Sequence, residues 1–360
     1  MRKSDYQPLG KYIEQVNVRN RDLTVTNLMG VSIEKRFIPS IANTIGTDLS
    51  PYKIVKPGQF AYGPVTSRNG DKITIALYNG NEDCIISQAY EAFRIKDTTQ
   101  LLPEYLMMWA KRPEFDRYAR YMSHGSVREL FSWEEMCNVM LPVPPIEEQR
   151  RIVSEYQTVE RRIANNEALI QKLEETAQAI YHHTFVEGID EENLPEGWRK
   201  GCFSEIMNIS SGKSVIDKVE FYDSTHPYPV AGASGVIGYS SNYNRESKIL
   251  TTGRVGTLGV INKYNSMIWA ADNVLIVESK YYEYAYNLLC NVNFGEIAKG
   301  GVQTLLTQTE LNNYGVIIPP NDILESFENN VAPIYSYIEK IKEENIHLRT
   351  LLSLLTSKLS

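Results

Sequence analysis

The side chains best suited to chemistry lie in two short loops, Gly125-Ser126-Val127-Arg128 and Lys299-Gly300-Gly301-Val302-Gln303, which share one pattern. Small residues let a backbone approach a phosphate closely, and Arg, Lys or Gln beside them can bond a phosphate oxygen or a base edge. His124 stands immediately before the first loop. Further donors sit at turns: Arg68, Asn69 and Lys72 around one, Lys213 after Ser210-Ser211-Gly212, and Arg254 between glycines. Taken one at a time these are ordinary solvated turn residues; what singles them out is that the loop recurs. The 23 tyrosines offer amphipathic contact surface, most of it accounted for by core and rim packing.

Machinery for making or breaking bonds is missing from the same sequence. It has no G-x-x-x-x-G-K-[ST] phosphate loop. Gly253-Arg254-Val255-Gly256-Thr257-Leu258-Gly259 is spaced G-x-x-G-x-x-G among short strands, so it reads as turn-rich β structure and not as a dinucleotide fingerprint. His124, His182, His183, His226 and His347 show no metal-ligand spacing, and Cys84, Cys137, Cys202 and Cys290 contain no C-x-x-C pair. No Asn-Pro-Pro-Tyr or Asn-Pro-Pro-Phe tetrapeptide marks a methyltransferase. The expectation is a non-catalytic binding protein with neither cofactor nor metal.

Positioning two copies of one loop requires two copies of a scaffold. Val127, Leu130, Glu135, Pro144 and Pro145 correspond to Val302, Leu305, Glu310, Pro319 and Pro320, each pair 175 positions apart. The offset continues into heptads: Ile152, Tyr156, Val159, Ile163, Asn166, Ile170, Leu173, Ala177 and Ile180 map onto Phe327, Val331, Ile334, Ile338, Ile341, Asn345, Leu348, Leu352 and Leu355. A 4,3 spacing is the period of a supercoiled helix pair. Asn166 and Asn345 are not repeat equivalents, yet an antiparallel register that sets them face to face also sets Ile152 opposite Leu359, Ile163 opposite Leu348 and Ile180 opposite Val331. Paired amides fix a register at modest cost, whereas an amide facing leucine is unpaired. Pro333, inside the second helix pattern, should kink that helix or delay its start.

The organisation that follows is α+β: a first module over residues 1–145, a heptad helix over 146–185, an acidic linker over 186–198, a second module over 199–320 and a second heptad helix over 321–360. Strands are expected near Lys72–Tyr78, Cys84–Ile86, Lys248–Leu250 and Asn273–Val277, with a helical stretch from Pro103 to about Tyr121 and a short helix over Ser132–Asn138. The net charge of −7 is a poor guide to partners. Residues 1–145 hold 18 basic and 16 acidic side chains and 201–320 hold 8 and 10, so the excess acid lies in the helices and linker, and local basic patches decide phosphate binding. The start, Met1 to Tyr6, lacks an apolar signal core, and no run approaches the ~18 apolar residues of a membrane span, so a cytoplasmic location is expected.

Three stretches carry a family resemblance. Leu141-Pro142-Val143-Pro144-Pro145-Ile146-Glu147-Glu148-Gln149-Arg150-Arg151-Ile152 resembles the opening of the first conserved helix in specificity subunits of type I restriction-modification systems. Leu194-Pro195-Glu196-Gly197-Trp198 is similar to the start of a target-recognition domain in that family, and Gly253 to Gly259 followed by Ala271-Asp272-Asn273 to its glycine-rich strand region. The second helix opening, Pro319-Pro320-Asn321-Asp322-Ile323, lacks the Gln-Arg pair, and the first module lacks a Leu-Pro-x-Gly-Trp opening. The resemblance implies two tandem target-recognition domains, each followed by a long helix, the helices forming an antiparallel coiled coil. It implies a non-enzymatic reader of double-stranded DNA that joins two methyltransferase (modification) subunits and, further, restriction subunits of the endonuclease and translocase kind. Two diverged modules independently imply an asymmetric bipartite site, since a palindrome read by symmetry needs identical halves. About thirty seam residues at ~1.5 Å each span roughly 43 Å, against ~34–36 Å for one turn of DNA. The competing class is a coiled-coil scaffold whose globular modules bind proteins; steep salt dependence of duplex binding separates the two.

Overall fold

The computed structural model describes residues 6–40, 46–67, 70–124, 129–255, 258–297 and 305–359. The chain divides into two compact units. The first comprises Met1–Asn166 with Glu344–Ser360 and the second Glu167–Glu343, so each holds one globular module and part of each long helix.

In the first unit a four-stranded antiparallel sheet forms from β1 (Ile13–Val16), β2 (Phe60–Tyr62), β3 (Ile75–Leu77) and β4 (Glu91–Ile95) in the order β1-β4-β2-β3. β2 is buried at every position, as suits a central strand covered on both faces. Stacked Phe60 and Phe93 rings, 4.8 Å apart, join β2 to β4 across the ladder. One face packs on α1 (Pro103–Ala110) and α2 (Pro113–Tyr121). The single helix expected from Pro103 to Tyr121 is therefore two. Arg112 is extended (φ −71°, ψ 141°) because the ring of Pro113 crowds the preceding residue out of the helical region. α3 (Trp133–Asn138) follows, its first turn capped by the Ser132 hydroxyl, which accepts the Glu135 N–H at 3.1 Å.

α4 (Ile146–Phe185) begins where the Pro145 carbonyl accepts the Glu148 and Gln149 N–H groups. Gln149 is fully buried. Its Nε2 donates to the Gln100 and Pro144 carbonyls, both at 2.8 Å, and its Oε1 accepts the Leu102 N–H at 2.9 Å. One side chain thereby ties the start of the long helix to the turn before α1.

The second unit repeats the frame. β5 (Asn208–Ser211), β6 (Ile249–Gly253), β7 (Asn262–Tyr264) and β8 (Val274–Glu278) pair in the order β5-β8-β6-β7, the order of the first sheet. α5 (Tyr282–Cys290), the short α6 (Phe294–Ile297) and α7 (Gln308–Asn312) follow, α7 opening on a capping box between Thr307 and Glu310. The segments between the first two strands of each sheet differ. There the first unit has the hairpin Met29–Val31 with Phe37–Pro39, and the second the hairpin Tyr228–Gly232 with Gly235–Ser240, which Trp269–Ala270, from between β7 and β8, extends to three strands.

α8 (Asn321–Ser357) runs antiparallel to α4 within each unit. In the first unit Ile152, Val153 and Tyr156 share a cluster with Leu352, Leu355 and Leu359. In the second, Ile170, Leu173, Ala177 and Ile180 pack with Val331, Ile334 and Ile338. Pro333 does not delay the start of α8, which begins twelve residues earlier; it removes one N–H from the ladder of a helix already held by its seam. Asn166 donates its Nδ2 to Asn345 Oδ1 at 2.9 Å and to Glu344 Oε2 at 3.1 Å, with both asparagines buried. Arg162 hydrogen-bonds the same Glu344 and holds its carboxyl below the usual carboxylate range. Asn166→Leu should cost about 1–3 kcal/mol by leaving the Asn345 amide against leucine. Asn166→Leu with Asn345→Leu should recover much of that loss, so a double-mutant cycle followed by chemical denaturation should show strong coupling. An additive cycle would contradict the register.

Among the described residues no helix is long and apolar enough to cross a membrane, and no group of His, Cys, Asp and Glu is arranged to hold a metal ion.

Candidate nucleic-acid interface

In the first unit β2 continues past Tyr62 into Gly63–Thr66, and this extension pairs with residues 129–131. Thr66 N donates to Glu129 O at 3.1 Å and Phe131 N to Pro64 O at 2.8 Å, which places Val65 and Leu130 directly opposite each other. Leu130 also exchanges both backbone hydrogen bonds with His124, at 3.2 and 3.0 Å, closing the loop between them. The register is set by Phe131, which is fully buried against the rings of Tyr62, Phe115 and Tyr118. The turn holding Lys72 and the loop after His124 therefore leave from adjoining strands. Lys72 and His124 are exposed. Arg68, Asn69 and Arg128 lie outside the described residues.

The turn before β3 is anchored by buried Asp116 on α2, whose Oδ1 accepts the Ile73 N–H at 3.1 Å. Asp116 also binds the ammonium of Lys35, which donates to Ala110 O as well; burial pushes the Lys35 pKa down and the Asp116 carboxylate opposes that shift. Lys72, Arg117, Arg120 and Tyr121 line the mouth of an adjoining cleft of about 980 Å³. Tyr121 is 82% exposed, the most exposed tyrosine among the described residues, and Arg120 is paired with Glu129 at 2.6 Å at the root of the loop. Sequence reading passed over Arg117, Arg120 and Tyr121 because they lie in a helical pattern; only the return of the chain at 129–131 puts α2 beside the turn.

The second unit builds the same junction. Past Gly253, Arg254 O accepts the Leu306 N–H at 2.9 Å, and Val255 bridges Leu305. Leu130 and Leu305 are 175 positions apart, but Val65 and Val255 are 190 apart. The repeat is thus structural where its sequence offset has slipped, and Arg254 occupies the place of Pro64. Arg254 is half-buried, with an Nε that makes no hydrogen bond. Its N–H donates to Asn273 O at 3.0 Å, while Gly212 N donates to Val274 O and Lys213 N to Ala270 O. Lys213 and Arg254 therefore flank the Ala271-Asp272-Asn273 turn. Gly212 is required there, since a Cβ would lie 1.8 Å from Ala271 O. Lys213 is exposed, and its carbonyl accepts the Trp269 indole N–H. Lys299 and Gln303 lie outside the described residues.

Two stretches, residues 34–175 and 195–346, match the family described as the type I restriction modification DNA specificity domain. The chain belongs to that family. The second match holds a whole four-stranded sheet and its loop junction, and the first holds β2, β3, β4 and the equivalent junction, with β1 lying before it. The chain is 23% identical over 297 residues to the type I restriction enzyme MjaIX specificity subunit of Methanocaldococcus jannaschii, covering 72% of this chain and 68% of that relative. Its fold is similar to the crystal structure of the type I restriction-modification S subunit from M. genitalium (TM-score 0.63, 15% identity, 98% and 95% of the two chains). It is also similar to a chain from a structural study of complex assembly and conformational transition of the type I R-M system (TM-score 0.50, 17% identity, 98% and 96%).

Proposed function

We propose that this member of the DNA specificity family is the specificity subunit of a type I restriction-modification complex in the cytoplasm, each module reading one half of an asymmetric bipartite site. The observation that carries the reading is one sheet order and one loop junction built twice, with dissimilar segments inserted between the first two strands. A shared frame with diverged inserts suits two readers of different half-sites. Lys72, His124, Lys213 and Arg254, with Arg68, Asn69, Arg128, Lys299 and Gln303, are the residues proposed to touch DNA. The long helices would dock two methyltransferase subunits, and through them restriction subunits. On α8, Ile346, Leu351 and Leu354 are 64%, 42% and 55% exposed, an apolar surface outside the buried seam that suits a protein partner. The chain itself would catalyse nothing and hold no cofactor.

The test is a module exchange. Methylated adenines are mapped in DNA from cells carrying the chain and its modification partner, then again after residues 1–145 are replaced by the equivalent module of a relative. One half of the methylated site should change, with the other half and the spacer intact. A change in both halves, or methylation indifferent to the chain, would overturn the reading.

A further inference from the structure

The loop junctions hold a feature that a solvated sheet edge lacks. Side chains alternate between faces along a strand, and burial of Phe131 and Leu306 fixes which neighbours point outward. The outward positions are Leu130 and Leu305, 43% and 41% exposed. Each sits opposite a valine, Val65 or Val255, the latter 45% exposed. In the first unit the hydrogen bonds are made by the flanking residues, so Val65 and Leu130 form the narrow, non-hydrogen-bonded kind of antiparallel pair, in which facing side chains come closest. The Leu306-to-Arg254 bond gives the second pair the same setting. Leu130 beside half-buried Val65, and Leu305 beside Val255, therefore present an apolar couple to solvent at the root of the loop in each module, although the surrounding sequence has diverged.

We infer that these couples are specificity-determining contacts that meet the C5-methyl groups of thymines on the major-groove edge, Val65 with Leu130 in one half-site and Val255 with Leu305 in the other. This rests on the reading of the chain as a DNA-specificity subunit. Branched aliphatic side chains offer nothing to a phosphate, and the thymine methyl is the apolar group that B-DNA presents in its major groove. The exposed cations nearby, Lys72 in one unit and Lys213 in the other, suit a surface beside the phosphate backbone.

Deoxyuridine removes that methyl and leaves every hydrogen-bonding group in place, so it is the probe. The full chain with its modification partner is bound to duplexes in which the thymines of one half-site, then of the other, are replaced by deoxyuridine. Wild-type affinity should fall about fourfold for each methyl withdrawn from contact. Leu130→Ala should shrink the deoxyuridine penalty in one half-site while leaving the other unchanged, Leu305→Ala should do the reverse, and Leu130→Met should keep the penalty. Wild-type binding indifferent to deoxyuridine in both halves, or alanine variants as sensitive as wild type, would overturn the inference. Failure of the complex to prefer the bipartite duplex over random duplex would instead overturn the reading beneath it.

Discussion

Lys263→Met should destabilise the second unit by about 3–5 kcal/mol, because it leaves the Glu283 carboxylate buried without its counter-charge. Lys263 projects from β7 into a cage of tyrosines. Its ammonium lies 3.5 Å from the ring centroid of Tyr335 on α8, and 4.6 and 5.2 Å from those of Tyr286 and Tyr282 on α5, and it hydrogen-bonds the Glu283 carboxylate. Glu283 is buried and Lys263 nearly so. Desolvation pushes the lysine pKa down and the glutamate pKa up, and the partner's charge opposes each shift. Such a pair is costly to break and cheap to replace whole, so Lys263→Met with Glu283→Leu should recover most of the loss. The measurement is native-state hydrogen exchange at the amides of α5, which reads opening of this unit separately from the other. Equal losses in the single and double variants would mean that the cage, and not the ion pair, is what the fold requires. A polar network beside it has the same joining role. Asn287 on α5 accepts from Gln178 of α4 and from the Tyr335 hydroxyl of α8, so sheet, α5 and both long helices meet at one point.

Gln149→Leu should cost the first unit about 1–3 kcal/mol, since it leaves the part-buried Leu102 N–H and the Gln100 and Pro144 carbonyls without their amide partner. The change is close to isosteric and α4 keeps its helix-forming sequence, so the loss should appear in docking of the helix start and not in helicity. Leu324, 175 positions later, shows what the alternative looks like. It is buried at the start of α8, its N–H donating to Pro320 O as that of Gln149 donates to Pro145 O. The missing Gln-Arg pair of the second helix opening is therefore a switch from polar to apolar anchoring. The converse variant, Leu324→Gln, should also destabilise, because a buried amide arrives with no partners waiting. Denaturant midpoints followed by tryptophan fluorescence and by circular dichroism would check both; an unchanged midpoint for Gln149→Leu would show that water takes over all three bonds.

Much of this architecture is written locally. The heptads and the prolines before each long helix are properties of short windows, the 175-residue offset is a comparison of two such windows, and together they announce two modules and two helices. The seam register was also within reach. Two asparagines among aliphatic residues constrain an antiparallel pair almost completely, and the amides of Asn166 and Asn345 do meet. The cations at turns could be nominated because turn chemistry is local as well, yet their grouping could not. Lys213 and Arg254 come together only because β5, β6 and β8 share a ladder, and Lys72 comes beside the loop after His124 only because residues 129–131 return to pair with 64–66.

What tertiary structure alone decided is which side chains lose water and which keep it. Gln149 looks like a solvated helix-face residue between Glu148 and Arg150, and Lys263 like an exposed strand residue, until chain segments distant in sequence close around them. Leu130 and Leu305 look like core residues until burial of Phe131 and Leu306 turns them outward. Burial is a property of the packed layers and not of any window of sequence. A pattern that announces two modules and their helices therefore stays silent on the anchors that hold them and on the apolar couples they leave in water.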